Sequence, residues 1–139
     1  MRHLVLAGVL AGLFLIGCAN MTDSKEPAKA AVTGEVTYFQ RIALPPDAVV
    51  TVRLQDVSRM DVAAVLIAEQ VIETGGRQVP IPFELNYDPA TIDDRMAYSV
   101  SARIEQGDKL LWINDTHHPV ITRGAPTSGI QLKVVPVGR

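Results

Sequence analysis

The chain has 139 residues, a formal charge of −2 and 47% hydrophobic residues, which suits one domain with a modest core. So small a charge, with only 5% aromatic residues, provides neither a basic patch nor a base-stacking surface, which excludes nucleic acid as a partner. The single cysteine excludes an intramolecular disulfide, so the fold must stand on its core alone.

Met1-Arg2-His3 is a short basic start, and Leu4 to Ile16 is an apolar run broken only by Gly8 and Gly12. A basic start before an apolar run of this length is the pattern of a secretory signal. The run falls short of the roughly 20 apolar residues that a membrane-spanning helix needs. It ends at Leu15-Ile16-Gly17-Cys18, which resembles the bacterial lipobox. That resemblance implies cleavage before Cys18, a diacylglycerol on its thiol and an acylated new N-terminus. Residues 1–17 are therefore expected to be a cleaved signal helix, and the acyl chains on Cys18 to be the membrane anchor. Each buried methylene contributes about 0.8 kcal/mol, so two or three chains hold where one is marginal. Ala19 rather than Asp follows Cys18, which by the sorting rule of enterobacterial lipoproteins implies the outer membrane, with the domain facing the periplasm. Cleavage removes Arg2 from the 13 basic residues and none of the 15 acidic ones, leaving a formal charge of −3.

Residues 18–31 hold the lipid-acceptor cysteine and a stretch of small, polar and charged residues without helical or strand period. This composition reads as a flexible tether. From residue 32 to 139 the pattern changes to β-branched residues with a period of two. Val32, Gly34, Val36 and Tyr38 alternate with Thr33, Glu35 and Thr37 in a first strand. Leu44-Pro45-Pro46-Asp47 interrupts it, because prolines remove backbone donors. Val50, Val52 and Leu54 then oppose Thr51, Arg53 and Gln55. Val65 to Thr74 reads as a strand on its β-branched content, although Ala63 to Glu73 also fits a helix. After the Gly75-Gly76 turn, Val79, Ile81, Phe83, Leu85 and Tyr87 alternate with Pro80, Pro82, Glu84 and Asn86, and the outward prolines mark a sheet edge. Tyr98, Val100, Ala102 and Ile104 form the inner face of the next strand, and a turn at Gln106–Lys109 returns the chain through Leu110 to Ile113. Val120 to Thr122 adds a short piece, and Ile130 to Val137 a last strand. Seven to eight short, mostly antiparallel strands separated by turns predict an all-β fold, a small β-sandwich.

Several phrases resemble a known family. They are Gly34-Glu35-Val36-Thr37-Tyr38, Arg41 to Ala48, Leu54-Gln55-Asp56-Val57-Ser58, Pro82-Phe83-Glu84-Leu85, Tyr87-Asp88-Pro89 and Ser101-Ala102-Arg103-Ile104. In this order they resemble the YbaY-like lipoproteins, grouped with the YscW type III secretion lipoprotein chaperones, or pilotins. The resemblance runs from about Gly34 to Val135 and implies a compact β-sandwich. For the pilotin branch it implies binding of a secretin subunit and help with its assembly in the outer membrane. For the YbaY-like branch, which this sequence looks like, it implies an envelope lipoprotein.

Chemistry is sparse. In Asn114-Asp115-Thr116-His117-His118 the adjacent histidines would point apart on a strand. No third ligand stands at a recognised spacing, whereas zinc takes three or four, so no metal or cofactor is expected. The stretch reads as a polar loop in which Asp115 and Thr116 bond to the backbone. Asp93-Asp94 lacks the fixed separation that carboxylate pairs need, and Ser58, Ser99, Ser101 and Ser128 lack a nucleophile elbow. Trp112, among Leu110, Leu111 and Ile113, reads as core; on an exposed face it would anchor a partner. The reading is a non-catalytic envelope lipoprotein that binds a protein partner such as a secretin; the alternatives are a structural or stress-related envelope module and, last, an enzyme.

Overall fold

The period-two stretches become nine strands in a computed structural model that describes residues 29–138. The signal sequence, Cys18 with its lipobox Leu15, Ile16 and Gly17, and most of the tether lie outside the described residues. The strands are β1 (Ala30–Thr37), β2 (Val49–Asp56), β3 (Val65–Glu73), β4 (Ile81–Tyr87), β5 (Tyr98–Gln106), β6 (Lys109–Ile113), β7 (Pro119–Val120), β8 (Ile130–Lys133) and β9 (Val135–Pro136). A single 3₁₀ turn, Pro89–Thr91, follows β4, with Asp88 Oδ1 accepting from Ala90 N–H at 2.9 Å. The strands form two sheets, β4-β1-β8 and β3-β2-β5-β6-β9, with β7 beside β5. The fold is the all-β sandwich that the alternation predicts.

Alternation explains which side of each strand is buried. Val50, Val52 and Leu54 of β2 and Val100, Ala102 and Ile104 of β5 face Val32 and Val36 of β1 and Ile81, Phe83 and Leu85 of β4 across the core. Each fully buried aliphatic or aromatic side chain contributes about 1.5–3 kcal/mol. Two polar ties join the layers at one end. Gln70 Oε1 on β3 accepts from Glu84 N–H on β4 at 2.7 Å, and the Gln78 side chain clamps both backbone groups of Leu44.

Trp112 is 4% exposed and stacks on Tyr38, with ring centroids 3.9 Å apart and planes 6° from parallel. It joins β6 to the chain leaving β1, so it is a core residue, and the alternative of an exposed partner anchor has no accessible surface there.

Three boundaries differ from the sequence reading. The expected last strand, Ile130 to Val137, is two. β8 runs parallel to β1 in the smaller sheet, while β9 pairs with β6 in the larger. Val134, wholly buried, marks the crossover and donates its N–H to Thr37 O at 2.9 Å. The short piece ends at Val120 because the chain folds back at once: Thr122 N–H bonds Val120 O at 2.8 Å around Ile121, whose φ is 72°. This is a three-residue turn of the strained hand. β1, finally, begins at Ala30, inside the segment read as tether.

β3 contains a bulge. Leu54 pairs with Ala68 and Gln55 with Leu66, which leaves Ile67 as the extra residue. Ile67 and Ala68 both pack against the core and Leu66 turns to solvent, as one inserted residue requires.

Gly34 sits where β8 crosses closest to β1. A Cβ there would stand 2.1 Å from the Ile130 carbonyl oxygen, a backbone atom with no side-chain freedom to yield. Gly34→Ala is expected to lower the stability by about 3 kcal/mol, at the upper end of what overpacking costs, measured as a drop in the urea midpoint at unchanged slope. A midpoint within error of the parent would contradict this packing.

Candidate functional site: a polar concavity and a free sheet edge

The outer face of the larger sheet carries the residues that alternation turns away from the core. Thr51 and Arg53 of β2, Ser99, Ser101 and Arg103 of β5 and the loop from Asn114 to His117 line an open concavity of about 300 Å³. Its two arginines each lie beside a glutamate. Arg53 Nε meets Glu69 Oε2 at 2.6 Å across to β3, and Arg103 Nε approaches Glu105 Oε1 at 2.5 Å. The second contact is close but poorly aligned, since the buried Arg103 Nε has no hydrogen-bond partner. Pairs this exposed contribute about 0–1 kcal/mol each.

Asn114 builds the loop over this concavity. Its Oδ1 accepts from Ala102 N–H at 2.8 Å, its Nδ2 donates to Thr116 O at 3.1 Å, and its own N–H bonds Ala102 O at 3.1 Å. The side chain thereby continues the pairing of β5 after β6 has ended. Thr116 donates to Asp115 Oδ1 at 3.1 Å, so the stretch is a turn network, with Asn114 as the main clamp. Only the Asx character of Asn114 marked it in the sequence.

The two histidines separate. His117 is exposed on the rim, whereas His118 is half-buried, with Nδ1 enclosed and without a partner. Among the described residues, no hydrogen bond links His117 to Ser99 or Ser101, and no three His, Cys, Asp or Glu side chains gather to hold a metal ion. The concavity brings His117 together with Ser99 and Ser101, but not with Asp93 or Ser58.

Asp93 is closed on Arg95, through Arg95 Nη2 at 2.8 Å, Nε at 3.1 Å and the Arg95 N–H at 3.0 Å. These bonds hold its carboxyl down at about 2. Such a group stays ionised near neutral pH, and its two oxygens are spent on closing the loop around Arg95. The Ser58 hydroxyl and N–H likewise hold Asp56 below the usual carboxylate range. Ser58 is thereby occupied, because its Oγ also accepts from Ala97 N–H at 2.7 Å.

Edges are the other feature of the site. In the smaller sheet Glu84 N–H faces away from β1 onto Gln70, and Pro82, two residues earlier, shares that direction and has no N–H. The β4 edge is thus blunted. In the larger sheet β3 is terminal, nine residues long and free of proline. Val65, Leu66 and Val71 on it are each at least half exposed. A long apolar edge of this kind is a template for another extended chain.

The comparisons with known proteins cover most of this domain. Residues 27–132 match the family model described as type III secretion system lipoprotein chaperone (YscW). The chain belongs to the YscW family. It is 35% identical, over 148 residues, to a protein of Escherichia coli strain K12 named "Uncharacterized lipoprotein YbaY", covering 94% of this chain and 77% of that one. A solved structure, an alternative pilotin from the type II secretion system of Vibrio cholerae, is 47% identical with a TM-score of 0.77. The match spans 81% of this chain and 100% of the pilotin. The chain is therefore a pilotin-like lipoprotein by family.

Because Asp93 is depressed in the fold, its contribution to stability is fully present above about pH 4 and is lost as pH falls through about 2. A carbon-detected NMR titration of the Asp93 carboxyl should show a midpoint near 2 that rises toward the ordinary carboxylate range in Arg95→Ala. An unchanged midpoint in that variant would contradict the clamp.

Proposed function

We propose that this chain is an outer-membrane lipoprotein, acylated on Cys18 after removal of residues 1–17, that acts without catalysis as a pilotin. Residues 18–29 would connect the anchor to the domain, and the domain would face the periplasm and bind a secretin subunit during its assembly. The observation that carries this reading is the likeness to the Vibrio cholerae pilotin over the whole of that protein. At 47% identity and a TM-score of 0.77 it extends to sequence as well as fold. The site's chemistry supports the non-catalytic part, since its two arginines lie beside Glu69 and Glu105, Asp93 is locked on Arg95 and His117 makes no hydrogen bond to Ser99 or Ser101.

The β3 edge supports the partner. An extended segment of a secretin subunit added beside β3 would gain main-chain hydrogen bonds, with the exposed apolar side chains of β3 supplying pockets for its own. Co-purification from detergent-solubilised envelope is expected to recover a secretin with the parent protein. Val71→Lys, at a side chain 58% exposed, should lower the recovered secretin several-fold and leave the thermal midpoint within a few degrees. Equal recovery from the variant would exclude the edge, and no secretin from either protein would exclude the partner.

The likeness to YbaY, a lipoprotein whose name assigns it no partner, favours a second reading, a structural or stress-related envelope lipoprotein. Deletion that alters detergent sensitivity while secretin assembly stays normal would favour it. Anchoring is tested separately. Cys18→Ala is expected to abolish incorporation of radioactive fatty acid, and label retained by that variant would contradict acylation at this residue.

A further inference from the structure

Where the chain enters the domain determines which surface lies nearest the proposed anchor. Ala30 opens β1 opposite Tyr87, the last residue of β4. At the same end of the larger sheet Asp56 pairs with both Val65 and Tyr98. Loops 57–64 and 88–97 close this end. They are tied by Val57 N–H to Ala97 O at 2.9 Å and by Ala97 N–H to Ser58 Oγ at 2.7 Å. β3 and β4 are joined at the opposite end, through residues 74–80, and Phe39 and Ile42 stand in the connection that leaves β1 at that end, which Leu44 ties to Gln78.

Every residue from Arg59 to Leu66 is exposed. Six of these eight are apolar: Met60, Val62, Ala63, Ala64, Val65 and Leu66. Met60 is 89% exposed and Val62 57%. A contiguous apolar surface of this kind marks an interaction site. Its two charges, Arg59 and Asp61, cancel, so attraction to a partner rests on apolar burial and not on a field.

We propose that Arg59–Ala64 is a membrane-facing lip, with Met60 and Val62 entering the interfacial layer of the bilayer that holds the acylated Cys18, while Val65 and Leu66 belong to the β3 edge. The inference rests on the anchoring reading above. Lipid is the occupant because of the path of the chain. Eleven residue steps separate Cys18 from Lys29 and span at most about 40 Å, and they join the domain at the lip's own end. The nine residues of β5 make the sandwich about 30 Å long. Phe39 and Ile42 would therefore meet the bilayer only if the connecting residues doubled back along the domain. An anchor also holds the lip at high effective concentration beside the lipid. A contact too weak to recruit a free domain then suffices to orient a tethered one.

Acylation blocks the Cys18 thiol, so a cysteine introduced elsewhere is the one free thiol for labelling. Full-length acylated protein carrying Val62→Cys or Ile42→Cys, labelled with an environment-sensitive fluorophore, is reconstituted in phosphatidylethanolamine–phosphatidylglycerol vesicles. Parallel vesicles contain acyl-chain-brominated lipid. Bromolipid is expected to quench the label at Val62→Cys several-fold more than at Ile42→Cys, equally at low and high salt. Met60→Cys repeats the measurement at a more exposed position, so a misfolded first variant does not decide the matter. Equal quenching at both ends, in protein whose mass shows the acyl chains, overturns the lip and leaves the anchor standing. A mass without acyl chains overturns the anchor and the lip together.

Discussion

The backbone of β8 lies so close to β1 that a Cβ on Gly34 would stand 2.1 Å from the Ile130 carbonyl oxygen. That approach holds β8 parallel to β1, and four residues later Val134 carries the chain into the other sheet. The C-terminal segment is thus shared between the layers, with β8 closing the smaller sheet and β9 extending the larger. A chain without an intramolecular disulfide has only such crossovers and its core to fix one layer on the other. The Tyr38–Trp112 stack ties the chain leaving β1 to β6, and the Gln70–Glu84 hydrogen bond ties the sheets at their other edge, between β3 and β4. With the sheets fixed, the surfaces that matter for function follow. β3 is left as the long free edge, and the Arg59–Ala64 stretch projects from the end at which the chain enters.

These surfaces differ in character. The concavity on the outer face of the larger sheet has two arginines beside Glu69 and Glu105 and a loop held by Asn114, and it is chemically quiet. The apolar character is concentrated on β3 and the loop before it, where the backbone is also unpaired. Polar faces with one apolar edge suit a protein whose role is to hold and position another chain, and the family membership agrees with that use.

Much of this was legible in the residues. Period-two alternation located β1, β2, β4 and β5 because each has one face in the core and one in water, as Val50, Val52 and Leu54 against Thr51, Arg53 and Gln55 show. The prolines before and within β4 disclosed a blunted edge, since only the outward direction of Pro82 tolerates a missing donor. What alternation could not show was partnership. Ile130 to Val137 keeps its apolar rhythm through Val134, so nothing local marks the change of sheet. The bulge at Ile67 was hidden because Val65 to Ile72 is mostly apolar and fits either register. The role of Asn114 depends on where Ala102 lies across the sheet. The free edge at β3 is likewise a property of strand order, and strand order is not written in any one strand.

The central claim is that this YscW-family domain assists a secretin from a lipid anchor, and secretin assembly reports on it most directly. Detergent-resistant secretin multimers would be quantified in outer-membrane fractions from cells carrying the chain, lacking it, or lacking it and complemented. The account predicts that multimers fall several-fold on deletion, with monomers accumulating elsewhere in the envelope, and return on complementation. Multimers equal in amount and location in all three strains would contradict it.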